Sequence, residues 1–560
     1  MNRRSAAGPL LAVLVTLAAG VAAARAPLSE DPVVWYAADD APVPVPEFAE
    51  PGLIPYAVDS FLARPFSRFW NPGRLCRRIG TGDSARDAGD INALDEVVDS
   101  AWFTNRMGVR HLDHGELVAG PAFGLPTADG PDRSAPWIIV GAKTAGVTPG
   151  FRIRDARGDT WLLKFDPPSH PGMTIRAGVI TNLLFHAIGY HTPVDRLVDF
   201  DRADLRVGEG ASMKMGRLGD VPLTEANLDS ILVATNSVFG GRYQALASRY
   251  LDGIPVGPFD DQDVRSDDPN DLVKHENRRT LRALQVFGAW VNHFDTKMHN
   301  SLDMYVGEPG AGHVVHHLID FASTLGAYGD TPVRRFGYEA GIDVFPSLGR
   351  FVTLGLVEDT WVALERPEGL DEIGLFDVAT FEPDRWTPDL PHSAMANLNR
   401  RDGYWAAKVV SAFSDRDLRL LVEQGRYEDP AAAEFMIATL AGRRDKIVRY
   451  WFGHVPPLDF FRSEGGAVVC SDLAVERGYA APGRRYRWRL VAADAERAAR
   501  APGSWIVTDA PRLPLAGVVP ARDDAFPFLG CEVQYDAGSG WSGSTTAWFA
   551  RDGRCVAVDR

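Results

Sequence analysis

The stretch VNHFDTKMHNSLDMYV (Val291–Val306) decides how this chain is read. It follows an apolar run, LRALQVFGAW (Leu281–Trp290), and places His293, Asp295, Lys297, His299 and Asn300 within eight residues. Polar groups crowded against the end of a buried helix must find partners to offset the hydration they lose. Asp and Asn often tie turns with their own side chains, so Asp295 and Asn300 fit a helix-to-loop turn. A carboxylate, an ammonium and an amide in one short loop also fit a site that handles charge.

Outward from this stretch, ENRRTLRALQVFGAWVNHF (Glu276–Phe294) predicts an amphipathic helix. Downstream, HVVHHLIDFASTLG (His313–Gly326) predicts a strand leading to Asp320. Further back, WIIVGAKTAGVTPGFRIRDARGDTWLLKFD (Trp137–Asp166) alternates apolar runs with Gly and Asp turn signals. That texture predicts a β-meander carrying Lys164 on a strand. In MTIRAGVITNLLFHAIGYH (Met173–His191), Ile175, Val179, Leu183 and Phe185–Ile188 recur at helical spacing, and Gly189 stands where the helix should stop. TPVDRLVDFD (Thr192–Asp201) reads as one more strand, after which the pattern turns mainly helical. Helices are expected over Tyr404–Ala412 and from Asp429 and Pro430 onward, a cap and a first-turn residue. Beyond about Pro456 the texture returns to strands.

Three separated pieces fall into an order. His293-Phe-Asp295-Thr-Lys297-Met-His-Asn300 resembles the catalytic loop of protein kinases, H-R-D-x-K-x-x-N. Asp320-Phe321-Ala322 is similar to D-F-G, and WLLKFD sets Lys164 on a strand as V-A-I-K does. The chain thus resembles the protein-kinase-like superfamily and, within it, the atypical HipA-like, CotH-like and secretory-pathway kinase-like branches, over roughly Trp137–His454. The resemblance implies an α+β fold with a two-lobed protein-kinase-like core over 136–455, its N-lobe β-rich and its C-lobe helical. Around that core it leaves an N-terminal extension (27–135) and a C-terminal β-sandwich-like domain (456–560).

The resemblance also implies roles. Asp295 would be the base or the group that orients the attacking hydroxyl, and Lys297 would steady the transferred phosphate. Asn300 and Asp320 would hold Mg²⁺, or Mn²⁺, through hard oxygen ligands. Lys164 would sit on the α- and β-phosphates of ATP. The loop KTAGVTPGF, with Gly146 and Gly150, would cover the nucleotide through backbone N–H groups. The implied activity is ATP- and Mg²⁺-dependent transfer of phosphate to a protein or small-molecule hydroxyl. The alternatives are a pseudokinase or a nucleotidyl transferase of the same fold, or a non-enzymatic cell-envelope binding protein. Two departures stand out. The helix Thr174–Ile188 has no acidic residue to pair with Lys164, and Gly178 or its neighbours occupy the expected place. That leaves Glu209 or Glu225 as a partner, or none. Ala322 replaces the glycine of D-F-G, and the interval from Asn300 to Asp320 is long.

Other residues invite simpler readings. His313 and His317 share a strand face by period-two alternation, but with no third ligand in view, a surface or packing role for them and His316 is preferred. Asn105 and Arg106 are expected to dock the N-terminal segment, and Arg443–Lys446 to form a helix face. Arg334, Arg335 and Glu339 are either a contact for an acidic substrate or solvated charges. Trp488, Trp505, Trp541 and Trp548 fit a β core better than a carbohydrate surface.

The whole chain sets outer bounds. At 560 residues it exceeds one core, and 45% hydrophobic with 24% charged residues is the balance of a folded protein. A net charge of −15 repels phosphate backbones and argues against a nucleic-acid partner. Arg3 and Arg4 precede PLLAVLVTLAAGVAAA, a layout expected of a signal peptide over 1–26, with the mature protein secreted or periplasmic and without a membrane span. Export permits disulfides, and of Cys76, Cys470, Cys531 and Cys555 the pair Cys531–Cys555 is expected.

Overall fold

A computed structural model describes residues 26–50, 52–64, 66, 86–143, 150–166, 169–214, 219–235, 238–239, 241–329, 332–341 and 360–560. The expected leader up to residue 25, Cys76 and Gly146 lie outside them. The chain is α+β, with several sheets and a set of helices.

The first sheet holds β1 (Trp137–Lys143), β2 (Gly150–Arg154), β3 (Thr160–Lys164), β4 (Asp195–Phe200), β5 (Leu205–Lys214), β6 (Asp220–Pro222), β7 (Val238–Phe239) and β8 (Arg242–Arg249). Its order is β4-β8-β3-β2-β1-β5-β6, with β7 on β8. The expected meander is present, since β1 to β3 pair antiparallel in sequence. The region after β4 was expected to be mainly helical, and here the structure differs. β5 to β8 complete the sheet, because short apolar runs do not reveal which period they follow until a partner strand is known.

Helix α1 (Met173–Ile188) connects β3 to β4, and every residue but His186 is buried. A helix buried on every face must be covered on all sides. One side lies on β4 and β8, and other elements close over the rest. Gly189 ends it as expected, at φ 142°. Its start is set by Asp166, a wholly buried carboxylate that accepts from the backbone N–H groups of Gly172, Thr174 and Ile175 and from the Thr174 hydroxyl. Those are orphan donors of the first turn, which a side-chain oxygen satisfies well.

A second sheet, β11-β10-β9, comprises β9 (Ile254–Gly257), β10 (Ser301–Val306) and β11 (His313–Leu318). Between β9 and β10 the expected long helix is split at Ala283 into Arg279–Arg282 and α2 (Leu284–Val291). The helical part continues with α3 (Arg400–Val410), α4 (Asp415–Glu423) and α5 (Pro430–His454). Asp429 caps α5 through Ala431 N–H, and Pro430 takes the first position, as the sequence predicts. Arg443 is buried against Phe376 and Phe381 rather than lying on an open helix face.

From Leu458 the chain is β. One sheet holds β12 (Leu458–Glu464), β13 (Ala467–Asp472) and β16 (Arg512–Pro514). The other holds β14 (Tyr486–Ala493), β15 (Ile506–Thr508), β17 (Phe528–Tyr535), β18 (Thr545–Phe549) and β19 (Cys555–Asp559). Leu458, Cys470 and Leu513 from the first share a core with Trp488, Cys531 and Val558 from the second. Trp488 and Trp548 are core residues, while Trp505 and Trp541 both contact the Arg487 guanidinium. The expected Cys531–Cys555 disulfide is absent, and both thiols are free. β18 lies between their strands, and Cys531 faces Ala547 while Cys555 faces Phe549, so two strand spacings and a two-residue offset put their Cα atoms about 12 Å apart, beyond the roughly 7 Å a disulfide spans. Among the described residues no helix is long and apolar enough to cross a membrane.

Candidate functional site

The opening stretch gains its shape from Asn292. α2 stops there because Asn292 adopts the left-handed conformation, φ 52°, which Asn tolerates better than most residues. Its side chain is locked, with Oδ1 accepting from Trp386 Nε1 at 2.8 Å and Nδ2 donating to Phe336 O at 3.3 Å. The chain then leaves the helix as a loop and enters β10 through a short 3-10 turn at Met298–Asn300.

Inside the loop, Lys297 Nζ donates to both carboxylate oxygens of Asp295, at 2.9 and 3.0 Å. Asn300 Nδ2 donates to the Asp295 backbone oxygen at 2.7 Å, which leaves its carbonyl end for another partner. His293 is buried beneath, against Phe185 and Phe321. Burial pushes its imidazole down to about 4, against the pull of Asp295 and of a hydrogen bond to the Ser323 backbone. Outside the loop, Tyr56 of the helix Leu53–Val58 meets His299 edge-on at 5.8 Å, and Arg64 pairs with Asp260 and Asp261.

β11 runs beside β10 and delivers Asp320 to this loop. Ile319 N–H donates to the Asn300 carbonyl oxygen at 3.0 Å. Asp320 is itself left-handed, φ 62°, an uncommon state for a residue other than glycine. Lys164 Nζ donates to Asp320 Oδ1 at 3.0 Å across 156 residues of sequence. Both side chains are partly open to solvent, so the pair lies at a surface rather than in a core. Lys164, Asp320, Asn300, Asp295 and Lys297 therefore meet in one place.

The remaining expectations fare differently. Gly150 is not in a covering loop but opens β2, opposite Lys164 in the ladder. A Cβ there would come within 2.7 Å of the Leu163 carbonyl oxygen. Neither proposed acidic partner reaches Lys164, since Glu225 is taken by Arg202 and Val207 N–H, and Glu209 is exposed. The partner is Asp320. Gly178 lies over Leu246 and Ala322, and a Cβ would approach Leu246 Cδ1 to 2.8 Å. Next to it Thr181 shares a hydrogen bond with Thr324, at 2.8 Å. α1 thus rests directly on the Asp320–Leu325 segment, with no room for a long side chain at 178.

His316 packs as preferred, stacked on Trp102 at 3.6 Å and paired with Asp303 at 2.6 Å. Arg106 docks its segment by donating to His186 O at 2.8 Å, and Asn105 donates to Val97 O and to Asp99. Arg335 pairs with Asp389 at 2.8 Å.

Asp195, at the start of β4, went unnoticed in the sequence. It is 4% exposed, its Oδ1 has no hydrogen-bond partner among the described residues, and burial raises its carboxyl to about 6 despite Ser248 and Lys164. An Asp two residues after a Pro carried no signal of its own.

A divalent cation needs oxygen donors near a phosphate. The Asp320 carboxylate and the side-chain amide oxygen of Asn300 are donors of that kind. Among the described residues no group of three or more His, Cys, Asp or Glu gathers for a metal, so any ion here would draw further ligands from nucleotide and water. No family model, curated protein or solved structure matches the chain.

Proposed function

We propose that this chain is an ATP- and Mg²⁺-dependent phosphotransferase of the atypical protein-kinase-like type, its core two-lobed about the cleft at Lys164. One observation carries the reading. The strand lysine and the Asp of the Asp320-Phe-Ala segment, 156 residues apart, form an ion pair at 3.0 Å beside the Asp295–Asn300 loop. Phosphoryl transfer asks for little covalent chemistry from the protein and much positioning and charge neutralisation. A cation for the phosphates, two oxygen donors for the metal and a carboxylate for the hydroxyl are what that task requires.

In this reading Asn300 and Asp320 hold the metal, which supplies charge neutralisation on the phosphates. Lys164 leaves Asp320 for the α- and β-phosphates. Asp295 accepts the hydroxyl proton or orients the hydroxyl, while Lys297, already 2.9 Å from it, neutralises the charge passing between them. The acceptor is a protein or small-molecule hydroxyl, and the expected leader places the reaction outside the cytoplasm.

A second reading shares the site. The glycine at 178, where kinases place an acidic partner for the lysine, also suits a protein that binds nucleotide without transferring its γ-phosphate, or one that transfers the nucleotidyl group. Incubation with γ- and α-labelled ATP separates these outcomes. We expect label from γ-labelled ATP on the protein or an added acceptor, and its loss in Asp295→Ala with an unchanged melting temperature. Transfer at the wild-type rate by Asp295→Ala would remove Asp295 from the chemistry, and label only from α-labelled ATP would select nucleotidyl transfer.

A further inference from the structure

In the phosphotransferase reading Lys164 loses its partner at the moment it is needed. Asp320 cannot hold both the lysine and a divalent ion at full strength, and α1 offers no acidic side chain. We propose that Asp195 is the carboxylate that positions Lys164 once a metal-bound nucleotide engages Asp320.

The strand registers put the two on one face. Lys164 pairs with Leu246 and Leu246 with Leu197, while Leu162 pairs with Ser248 and Ser248 with Asp195. Direct cross-strand partners share a face, as do residues two apart on a strand. Lys164 and Asp195 therefore both point to the side covered by α1, where Leu197 and Leu246 join its core. Two strand spacings and a two-residue offset separate their Cα atoms by about 12 Å, a span that an extended lysine and an aspartate together bridge. Asp195 already acts electrostatically on Lys164 and Asp320.

Three further observations select Asp195. A buried carboxylate is costly unless fully satisfied, and although Ser248 bonds the Asp195 carboxyl, its Oδ1 has no hydrogen-bond partner among the described residues. An unsatisfied buried group calls for an explanation, and a second state of the molecule that uses it is one. Gly178 lets α1 sit close enough to touch Leu246 and Ala322, which excludes a helix-borne carboxylate and leaves the sheet as the source. Glu209 is exposed and Glu225 is engaged by Arg202, while Asp159 is held by Arg157 and Arg249 and Asp166 by the first turn of α1.

The inference rests on the site binding nucleotide, and the experiment separates the two claims. Calorimetric affinity for a non-hydrolysable ATP analogue with Mg²⁺ is measured for the full chain and for Asp195→Asn, Asp195→Glu, Lys164→Met and the double variant Lys164→Met/Asp195→Asn. We expect Asp195→Asn to bind about tenfold more weakly, the scale on which supporting residues act. Asp195→Glu should recover part of the loss, and Asp195→Asn should cost nothing further in the Lys164→Met background. The nucleotide-free melting temperature of Asp195→Asn should not fall. Wild-type affinity in Asp195→Asn would overturn the positioning role and leave the nucleotide site intact. Equal losses in both backgrounds, with a lower melting temperature, would overturn it in favour of a structural role. No binding by the wild-type chain would overturn the nucleotide reading itself.

Discussion

Asp195 and His293 are buried next to the same cleft and respond to pH in opposite senses. The His293 pKa is depressed to about 4 by burial, so the stability it contributes is present above 6.5 and is lost as pH falls through 4. Asp195 is raised to about 6, so its contribution is present below 3.8 and is lost as pH rises through 6. Ser248, Lys164, Asp320 and Arg196 are the groups that act on it. Replacing Asp195 by Asn removes the ionisable group at nearly constant shape. The variant should be more stable than wild type at pH 8, by about 2–3 kcal/mol at 1.36 kcal/mol per pKa unit, with the gap closing below pH 4. Urea titrations across that range read it directly, and a gap that does not change with pH contradicts the burial argument. At this scale Lys164, Asp295, Asn300 and Asp320 were legible because their spacing carries chemistry. Asp195 and Asn292 were not, since their roles depend on a register and a left-handed turn that no local pattern reveals.

α1 shows how one element couples the sheet to the cleft. Its start hangs on Asp166 and its middle on the absence of a side chain at Gly178. Burial raises the Asp166 carboxyl, while its four hydrogen bonds pull the other way. Asp166→Ala strips these donors of their partner inside the core. The expected loss is about 2–3 kcal/mol, at the upper end of cap effects because several donors are orphaned together. A shifted urea midpoint with unchanged slope measures it, and a loss under 0.5 kcal/mol would show that water replaces the carboxylate. Helix spans were readable where periodicity was long, as in α1 and α5, and their caps were readable at Gly189, Asp429 and Pro430. Strands β5 to β8 were missed because β5 breaks its apolar pattern with Gly208 and Gly210, β6 and β7 are only 3 and 2 residues long, and their pairing shows only once partner strands are known.

Across the molecule, a buried ionic network joins five stretches of chain. Arg279 binds Asp95 at 2.7 Å and Asp402 at 3.0 Å, and Arg282 also reaches Asp402. Lys408 of α3 holds Glu96 and Asp459, and Arg560 closes on Asp459 at 2.8 Å. The stretch around 95, the helical region and the C-terminal strands are thus locked together. Lys408→Met keeps the shape and leaves two buried carboxylates short of a cation, which should cost about 3–5 kcal/mol. Calorimetry should then show one earlier transition, whereas an unchanged one would mean that these regions unfold independently. The α+β class and the C-terminal β region were foreseeable from texture. This network was not, because its members are single charged residues scattered over more than 400 positions, from Asp95 to Arg560. The central claim concerns what the cleft holds, and metal-dependent nucleotide affinity tests it most directly. The account predicts that the wild-type chain binds an ATP analogue with Mg²⁺, loses that affinity in chelator and in Asp320→Ala, and binds measurably more weakly in Lys164→Met. Affinity that is absent in the wild type, or that survives Asp320→Ala with its metal dependence unchanged, would contradict it.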